Sequence, residues 1–185
     1  IIYTLTLTGE FIYVSPNWTK ILGHDTSEVI GESFVEFVHK DDIQKCFDYL
    51  KKIINSKTGV RDDVQYRVMH KDGRYRWHRS SGSAIINENG ETQYYLGIAY
   101  DVTERKETEK KLRENEKLLS MIFDTVNVGI TLADENRNII NVNKKYCEMF
   151  GFTKEELIGA DITVVVPPVL LQKALESIQK ILDEG

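Results

Sequence analysis

Few residues in this chain invite covalent or metal chemistry. Cysteine occurs twice, as Cys46 and Cys147. The two are far apart, so neither a disulfide framework nor a thiolate metal pair is expected, and a reducing compartment fits. The four histidines, His24, His39, His70 and His78, follow no metal-ligand spacing, and no metal site is expected from them. No run of about twenty apolar residues is present, and the N-terminus opens on a strand-like pattern without a signal peptide. The piece is expected to be soluble and cytoplasmic, which leaves its parent free to be membrane-associated. A strongly basic segment is missing as well: the net charge of −5 divides as −2 up to Thr103, +1 from Glu104 to Lys117 and −4 beyond. Nucleic acid is therefore not an expected partner. The basic, aromatic run "HKDGRYRWHR" is better read as a solvated hairpin than as a single-strand stacking platform. No nucleophile, base and orienting group converge in the motifs, so the fragment is not expected to be an enzyme.

What is present is a core and an echo. Hydrophobic residues make up 41% of the chain and aromatics 10%, enough to fold rather than remain disordered. The phrase "LGHDTSEVIG", Leu22 to Gly31, returns as "FGFTKEELIG", Phe150 to Gly159. An offset of 128 residues carries Val14 to Val142, Trp18 to Tyr146, Gly23 to Gly151 and Ile30 to Ile158. Further on it carries Ile43 to Leu171, Phe47 to Leu175, Leu50 to Ile178 and Ile54 to Leu182. That last set is the stripe of one amphipathic helix in both copies. Inside the phrase, Asp25 or Thr153 is placed as an N-cap with Glu28 or Glu156 three residues later, and Gly31 or Gly159 supplies the C′ position. A phosphate-loop reading of these glycines fails because no strand feeds a G-x-G-x-x-G turn.

The first copy opens with alternating strands at Ile2 to Leu7 and Phe11 to Val14. Short helices follow, then the amphipathic helix from Asp41 to Ser56. Three strand-like runs come next, "DVQYRVMH", "RYRWHRSSGSAII" and "TQYYLGIAYDV", separated by the hairpin signals Asp72-Gly73 and Asn89-Gly90. Two strands, a helical middle and three antiparallel strands make an α+β domain over 1–103. From Glu104 to Lys117 eleven of fourteen residues are charged, with Glu107 and Lys111, and Glu109 and Arg113, spaced for i, i+4 pairing. A helical linker is expected over 104–126. A heptad register through Arg105, Thr108, Leu112, Asn115, Leu119, Ile122 and Val126 gives a seam polar at its start and apolar at its end, which suits a parallel two-helix homodimer. The second copy, 127–185, stops after its amphipathic helix. Its last three strands are expected beyond Gly185, truncated, disordered or supplied by another chain.

The order "YVSPNWTKILGHDTSEVIG", "HKDD", "KDGRYRW", "NENGE" and "DVTERK" resembles a PAS domain with its C-terminal PAC segment. "IINVNKKYCEMFGFTKEELIG" resembles the first half of a second one. The resemblance implies a PAS-like five-stranded antiparallel sheet with helices on one face around a small cavity. A linker helix and a second, C-terminally incomplete PAS-like domain then follow. Such modules usually stand in series upstream of a histidine kinase or a cyclic-dinucleotide enzyme, so the chain is expected to be a sensory and relay module of a two-component signalling protein.

A flavin-adduct photosensor of this family needs a cysteine on the short helix after Gly31. This chain has "ESFVEFVHKDD" there, and Val68, His78 and Ala99 where flavin binders place amides. Haem-binding members usually take a histidine from the long helix, which has none, and His39 stands just before it in a capping turn. Both cofactors are disfavoured, although a haem or flavin redox or gas sensor with unusual contacts stays as a remote alternative. Cys46 reads as a small buried hydrophobe. Strand alternation puts His78 with Ser80 and Gly82 on one face, and Tyr95, Gly97 and Ala99 on one face of the last strand. The resemblance turns these faces to the cavity, so Tyr66, Val68, His78, Ser80, Tyr95, Gly97 and Ala99, closed over by Phe47 and Leu50, form the candidate mixed pocket for a small molecule, aromatic or carboxylate-bearing. A core filled by its own tyrosines, in a ligand-free dimerisation module, is the other reading. Asp101 and Thr103 are expected to cap the linker helix and relay the signal into it.

Overall fold

The computed structural model describes residues 1–56 and 62–184, with the side chains at 174, 178, 179 and 181–184 outside the description, so the expected pairings onto Ile178 and Leu182 fall outside it. The chain forms two compact units, residues 1–110 and 111–185. Their division falls inside a helix rather than at an end of it.

In the first unit β1 (Ile2–Leu5) and β2 (Phe11–Val14) are followed by α1 (Asn17–Leu22), α2 (Thr26–Val29) and the long α3 (Ile43–Asn55). Strands β3 (Val64–Met69), β4 (Tyr75–Ile86) and β5 (Thr92–Asp101) complete it, and α4 (Thr103–Thr125) leaves it. The strands pair antiparallel in the order β2-β1-β5-β4-β3. The expected first strand is two residues too long, because the Thr6 N–H bonds the Glu10 carbonyl at 2.8 Å and starts a turn there. Gly9 closes that turn with φ 96°. Its N–H bonds the Thr6 carbonyl, giving a three-residue loop with a left-handed last position. Asp72-Gly73 and Asn89-Gly90 work the same way: His70 pairs with Arg74 and Asn87 with Glu91, and Gly73 and Gly90 take φ 85° and 80°. The glycines thus serve as the third loop residue, not as half of a two-residue turn.

The core lies between the sheet and the helices. Phe11, Trp18 and Phe37 meet edge to face with ring centroids 5.0 to 5.9 Å apart. Helix α3 buries Tyr49, Leu50 and Ile53, while Ile43, Phe47 and Ile54 pack at the margin. The buried face is therefore rotated from the expected stripe, because it is centred on the cavity that Cys46, Tyr49 and Leu50 line. Ahead of α3, Asp42 is 4% exposed. It accepts from the Arg67 backbone N–H at 2.9 Å and Nε–H at 2.8 Å, and Lys45 Nζ lies 2.9 Å away. Burial pushes its carboxyl up, but Arg67 and Lys45 outweigh this and hold it well below the usual carboxylate range. The pair fastens the start of α3 to β3.

The second unit repeats the first in register. Strands β6 (Thr131–Ala133) and β7 (Ile139–Val142), and helices α5 (Lys144–Phe150), α6 (Lys154–Leu157) and α7 (Leu171–Glu184), all fall within one residue of the 128-residue offset. The offset holds bond by bond. Gly31 N–H to the Phe11 carbonyl becomes Gly159 N–H to the Ile139 carbonyl, both 2.8 Å, and the lone bridge Glu10–Ser33 becomes Asn138–Asp161. Both expected capping boxes form, at Asp25 and Thr153. Ile139, Val142, Tyr146 and Leu157 make this unit's small core.

Candidate functional site

The inner face of the first sheet is set by strand alternation. Tyr3 and Leu5 on β1, Tyr66 and Val68 on β3, and Tyr95 and Ala99 on β5 are buried, while Ile98 and Tyr100 face outward. Two glycines shape this face. Gly82 and Gly97 stand opposite each other across the β4–β5 ladder. A Cβ on Gly82 would come within 2.1 Å of Tyr95 Oη, and one on Gly97 within 2.3 Å of Tyr3 Cζ. The missing side chains let two tyrosine rings lie flat across the strands.

Those rings stop short of filling the interior, and a cavity of about 40 Å³ remains. Of the residues expected in its wall, Leu50, Tyr66, Val68, His78, Tyr95 and Ala99 line it. Phe47, Ser80 and Gly97 do not. Phe47 packs against Phe34 with tilted rings whose centroids are 4.8 Å apart, and Gly97 is covered by the Tyr3 ring. Ser80 Oγ accepts from Tyr3 Oη at 3.2 Å and shares a hydrogen bond with Tyr66 Oη at 2.9 Å. Tyr3, Phe11, Trp18, Phe34, Phe37 and Tyr49 complete the aromatic part of the wall and were not foreseen. The signal for them is the aromatic density of the first two strands and the helices after them.

No lysine, arginine, aspartate or glutamate lines the cavity. Burial brings the His78 pKa down to about 4, so the ring is neutral at pH 7. Burial pushes the Cys46 thiol up to about 12, which keeps this wall residue a thiol and not a thiolate. Trp18 Nε1 and His78 Nε2 are buried without a hydrogen-bond partner. A flavin or haem does not fit the residues present. The turn Phe34–Glu36 after Gly31 has no cysteine, α3 has no histidine, and His39 Nδ1 is engaged by the Asp41 N–H at 3.2 Å. Either group would also displace core side chains from a space of this size. No group of three or more potential metal ligands occurs among the described residues. None of the helices is long and apolar enough to cross a membrane, again among the described residues.

The sheet is joined to α4 at one corner. Asp101 is the last residue of β5, not the N-cap. Its Oδ1 accepts from the Thr103 N–H at 2.8 Å and from the Thr103 hydroxyl at 2.5 Å. Thr103 Oγ1 in turn accepts from the Trp77 N–H on β4 at 2.8 Å, and the Val102 N–H donates to the Trp77 carbonyl at 2.8 Å. The Trp77 ring has Lys106 of α4 at 5.4 Å, Arg67 at 5.5 Å and Lys45 at 5.8 Å from its centroid. Trp77 is thus part of the joint, and its chain neighbour His78 lines the cavity.

A second joint lies in the second unit. Asn143, fully buried, caps α5 by accepting from the Tyr146 N–H at 2.9 Å and also accepts from the Ile130 N–H at 2.8 Å. Its Nδ2 donates to the Phe123 carbonyl in the last turn of α4 at 2.9 Å and to the Val128 carbonyl at 2.8 Å. Sequence reasoning passed over it, because the offset pairs it with Ser15, whose shorter side chain accepts from the Ile2 N–H at 3.1 Å.

Comparison with known proteins agrees with this architecture. A family model described as a PAS fold matches residues 11–99, and one described as a PAS domain matches residues 117–183. The sensor protein FixL of Bradyrhizobium diazoefficiens is 27% identical over 135 residues, covering 72% of this chain and 26% of its own length. A blue-light-activated histidine kinase of Brucella anthropi is 23% identical over 186 residues, covering 93% of this chain and 36% of its own length. The crystal structure of a sensory box histidine kinase/response regulator from Burkholderia thailandensis superposes with a TM-score of 0.50 at 35% identity, over 64% of this chain and 88% of that one. The repeated hydrogen-bond pattern, the five-stranded sheet and two family matches in series lead to one assignment: the chain belongs to the PAS family and carries two of its sensory domains in tandem.

Proposed function

We propose that this chain is the cytoplasmic sensing and relay portion of a sensor histidine kinase. A small molecule in the first cavity changes the state of the first sheet, and α4 carries the change to the second domain. The observation that carries this reading is the Thr103 hydroxyl. It holds the start of α4 to the Trp77 N–H on β4, one residue from His78 in the cavity wall. A shift of β4 at the cavity therefore moves the hydrogen-bonded start of the helix with it. Asn143, bonded to the Phe123 carbonyl, provides the receiving contact. The relatives with histidine kinase in their names support this choice of output. The test is Asp101→Ala in the full-length protein. Input should no longer change autophosphorylation while the first domain keeps its unfolding midpoint, and an unaltered response would refute the relay.

A homodimer through α4 belongs to the same proposal. Leu112, Leu119 and Ile122 of the heptad seam are 59%, 67% and 49% exposed, and Leu118 and Met121 broaden the apolar stripe toward its end. A second copy of the same seam covers it in register, with Arg105, Thr108 and Asn115 weakening the early heptads. Near-equal alternatives of such a seam suit a switch.

A further inference from the structure

The polar atoms of the cavity wall are engaged elsewhere or closed off from its space. The Tyr3 and Tyr66 hydroxyls bond Ser80 Oγ at 3.2 and 2.9 Å, the Tyr49 hydroxyl donates to the Asp62 carbonyl at 2.8 Å, and Tyr95 Oη lies against Gly82. Trp18 Nε1 and His78 Nε2 expose almost no surface even to a molecule the size of water, so both rings offer the space carbon. The other lining residues are aliphatic or aromatic, save for Cys46, which burial keeps a thiol. No charged side chain stands in the wall among the described residues, and the surface around the space is mainly apolar.

Size and hydration then decide the class of guest. The space is about 40 Å³, and about 10–15 Å³ for each water-sized unit leaves room for roughly three non-hydrogen atoms. Water in such a space needs about two to four polar partners, and apolar cavities that lack them stay dry. A carboxylate would shed its hydration and meet no cation, since burial keeps His78 neutral at pH 7. An aromatic ring exceeds the space. Neither guest expected from the sequence therefore suits this wall. A small apolar molecule leaves water for a ready-made apolar surface and gains dispersion contacts on every side.

We propose that the first cavity takes a compact apolar molecule of about three non-hydrogen atoms, a short hydrocarbon or a gas of like polarity, held by shape and dispersion. This rests on the cavity being the sensory site and adds the chemical class of what it senses.

Propane and ethanol have the same heavy-atom count and differ by one hydroxyl, so they form the test pair. Methyl ¹H–¹³C spectra of the full chain read the site. Leu50, Val68 and Ala99 line it, and Ile139, Val142 and Leu157, in the core of the second unit, are the internal control. Propane should shift the first set and leave the second in place, with half-saturation at about millimolar concentration, the order so small a ligand reaches. Ethanol should bind at least about tenfold more weakly, because its hydroxyl finds no partner. Ala99→Val, which enlarges a wall side chain, should weaken propane binding by a similar factor, read at Leu50 and Val68. Ethanol binding as well as propane would overturn the apolar class and leave a sensory cavity standing. Undiminished propane shifts in a folded Ala99→Val protein would place the guest elsewhere and overturn the site; if that variant does not fold, the wild-type pair decides alone. Wall signals unmoved by propane and by xenon alike would show that the space admits no guest, and would remove this proposal and the sensory cavity together.

Discussion

His78 shows how a single residue couples the cavity to solution conditions. Its folded pKa of about 4 lies below the unfolded value near 6.5. Between these the unfolded chain binds the extra proton, so stability rises with pH through that window. The contribution of a neutral His78 is complete above about pH 6.5 and falls away toward pH 4, by about 3 kcal/mol over the window. Urea unfolding of the wild type at pH 7 and pH 4.5 should show this loss, and His78→Gln should flatten it. An equal slope in both proteins would assign the titration elsewhere. Strand alternation grouped His78 with Ser80 on one face, and the family resemblance turned that face inward. The absence of Gly97 from the wall was not legible, because alternation names the face a residue occupies but not which neighbouring ring lies over it. Only the Tyr3 ring, within 2.3 Å of where a Cβ would stand, takes Gly97 out of the wall.

Elements were legible where their signals are local. The caps at Asp25 and Thr153 and the loops closed by Gly73 and Gly90 depend on residues within four positions of each other. The wall contributed by Trp18 and Phe37 depends on contacts between separate elements, which periodicity does not encode. Asn143 was missed for the same reason. Its side chain bridges the segment leading into β6, the end of α4 and the start of α5 at once, and a serine fills the equivalent place in the first copy. Asn143→Ala leaves the Phe123 and Val128 carbonyls without their donor and removes a buried acceptor. The expected cost is about 3 kcal/mol, from several buried hydrogen bonds lost together. Amide exchange should then accelerate across 128–146 while residues 1–100 keep their protection. Unchanged exchange at Ile130 and Tyr146 would show that Asn143 does not hold the second joint.

At the scale of the whole molecule, the 128-residue offset was the most informative feature of the sequence. It is repeated in strands, helices, caps and single hydrogen bonds because both units solve one packing problem with residues of like size and polarity. Assembly is the part a single chain leaves to experiment. Leu119→Glu places a charge in the apolar end of the α4 seam, and sedimentation should then give a monomer where the wild type gives a dimer. A wild-type monomer at tens of micromolar, within the range of modest coiled coils, would remove the homodimer from the account. The central claim is that the cavity and α4 are mechanically one system through Trp77 and Thr103. Amide hydrogen exchange of the chain carrying Ala99→Val, a volume change in the cavity wall remote in sequence from α4, tests this most directly. The account predicts altered protection at the Trp77 amide and through the first two turns of α4, residues 103–110, abolished when Asp101→Ala is added. Altered protection confined to the strands around the cavity, with 103–110 unchanged, would contradict it.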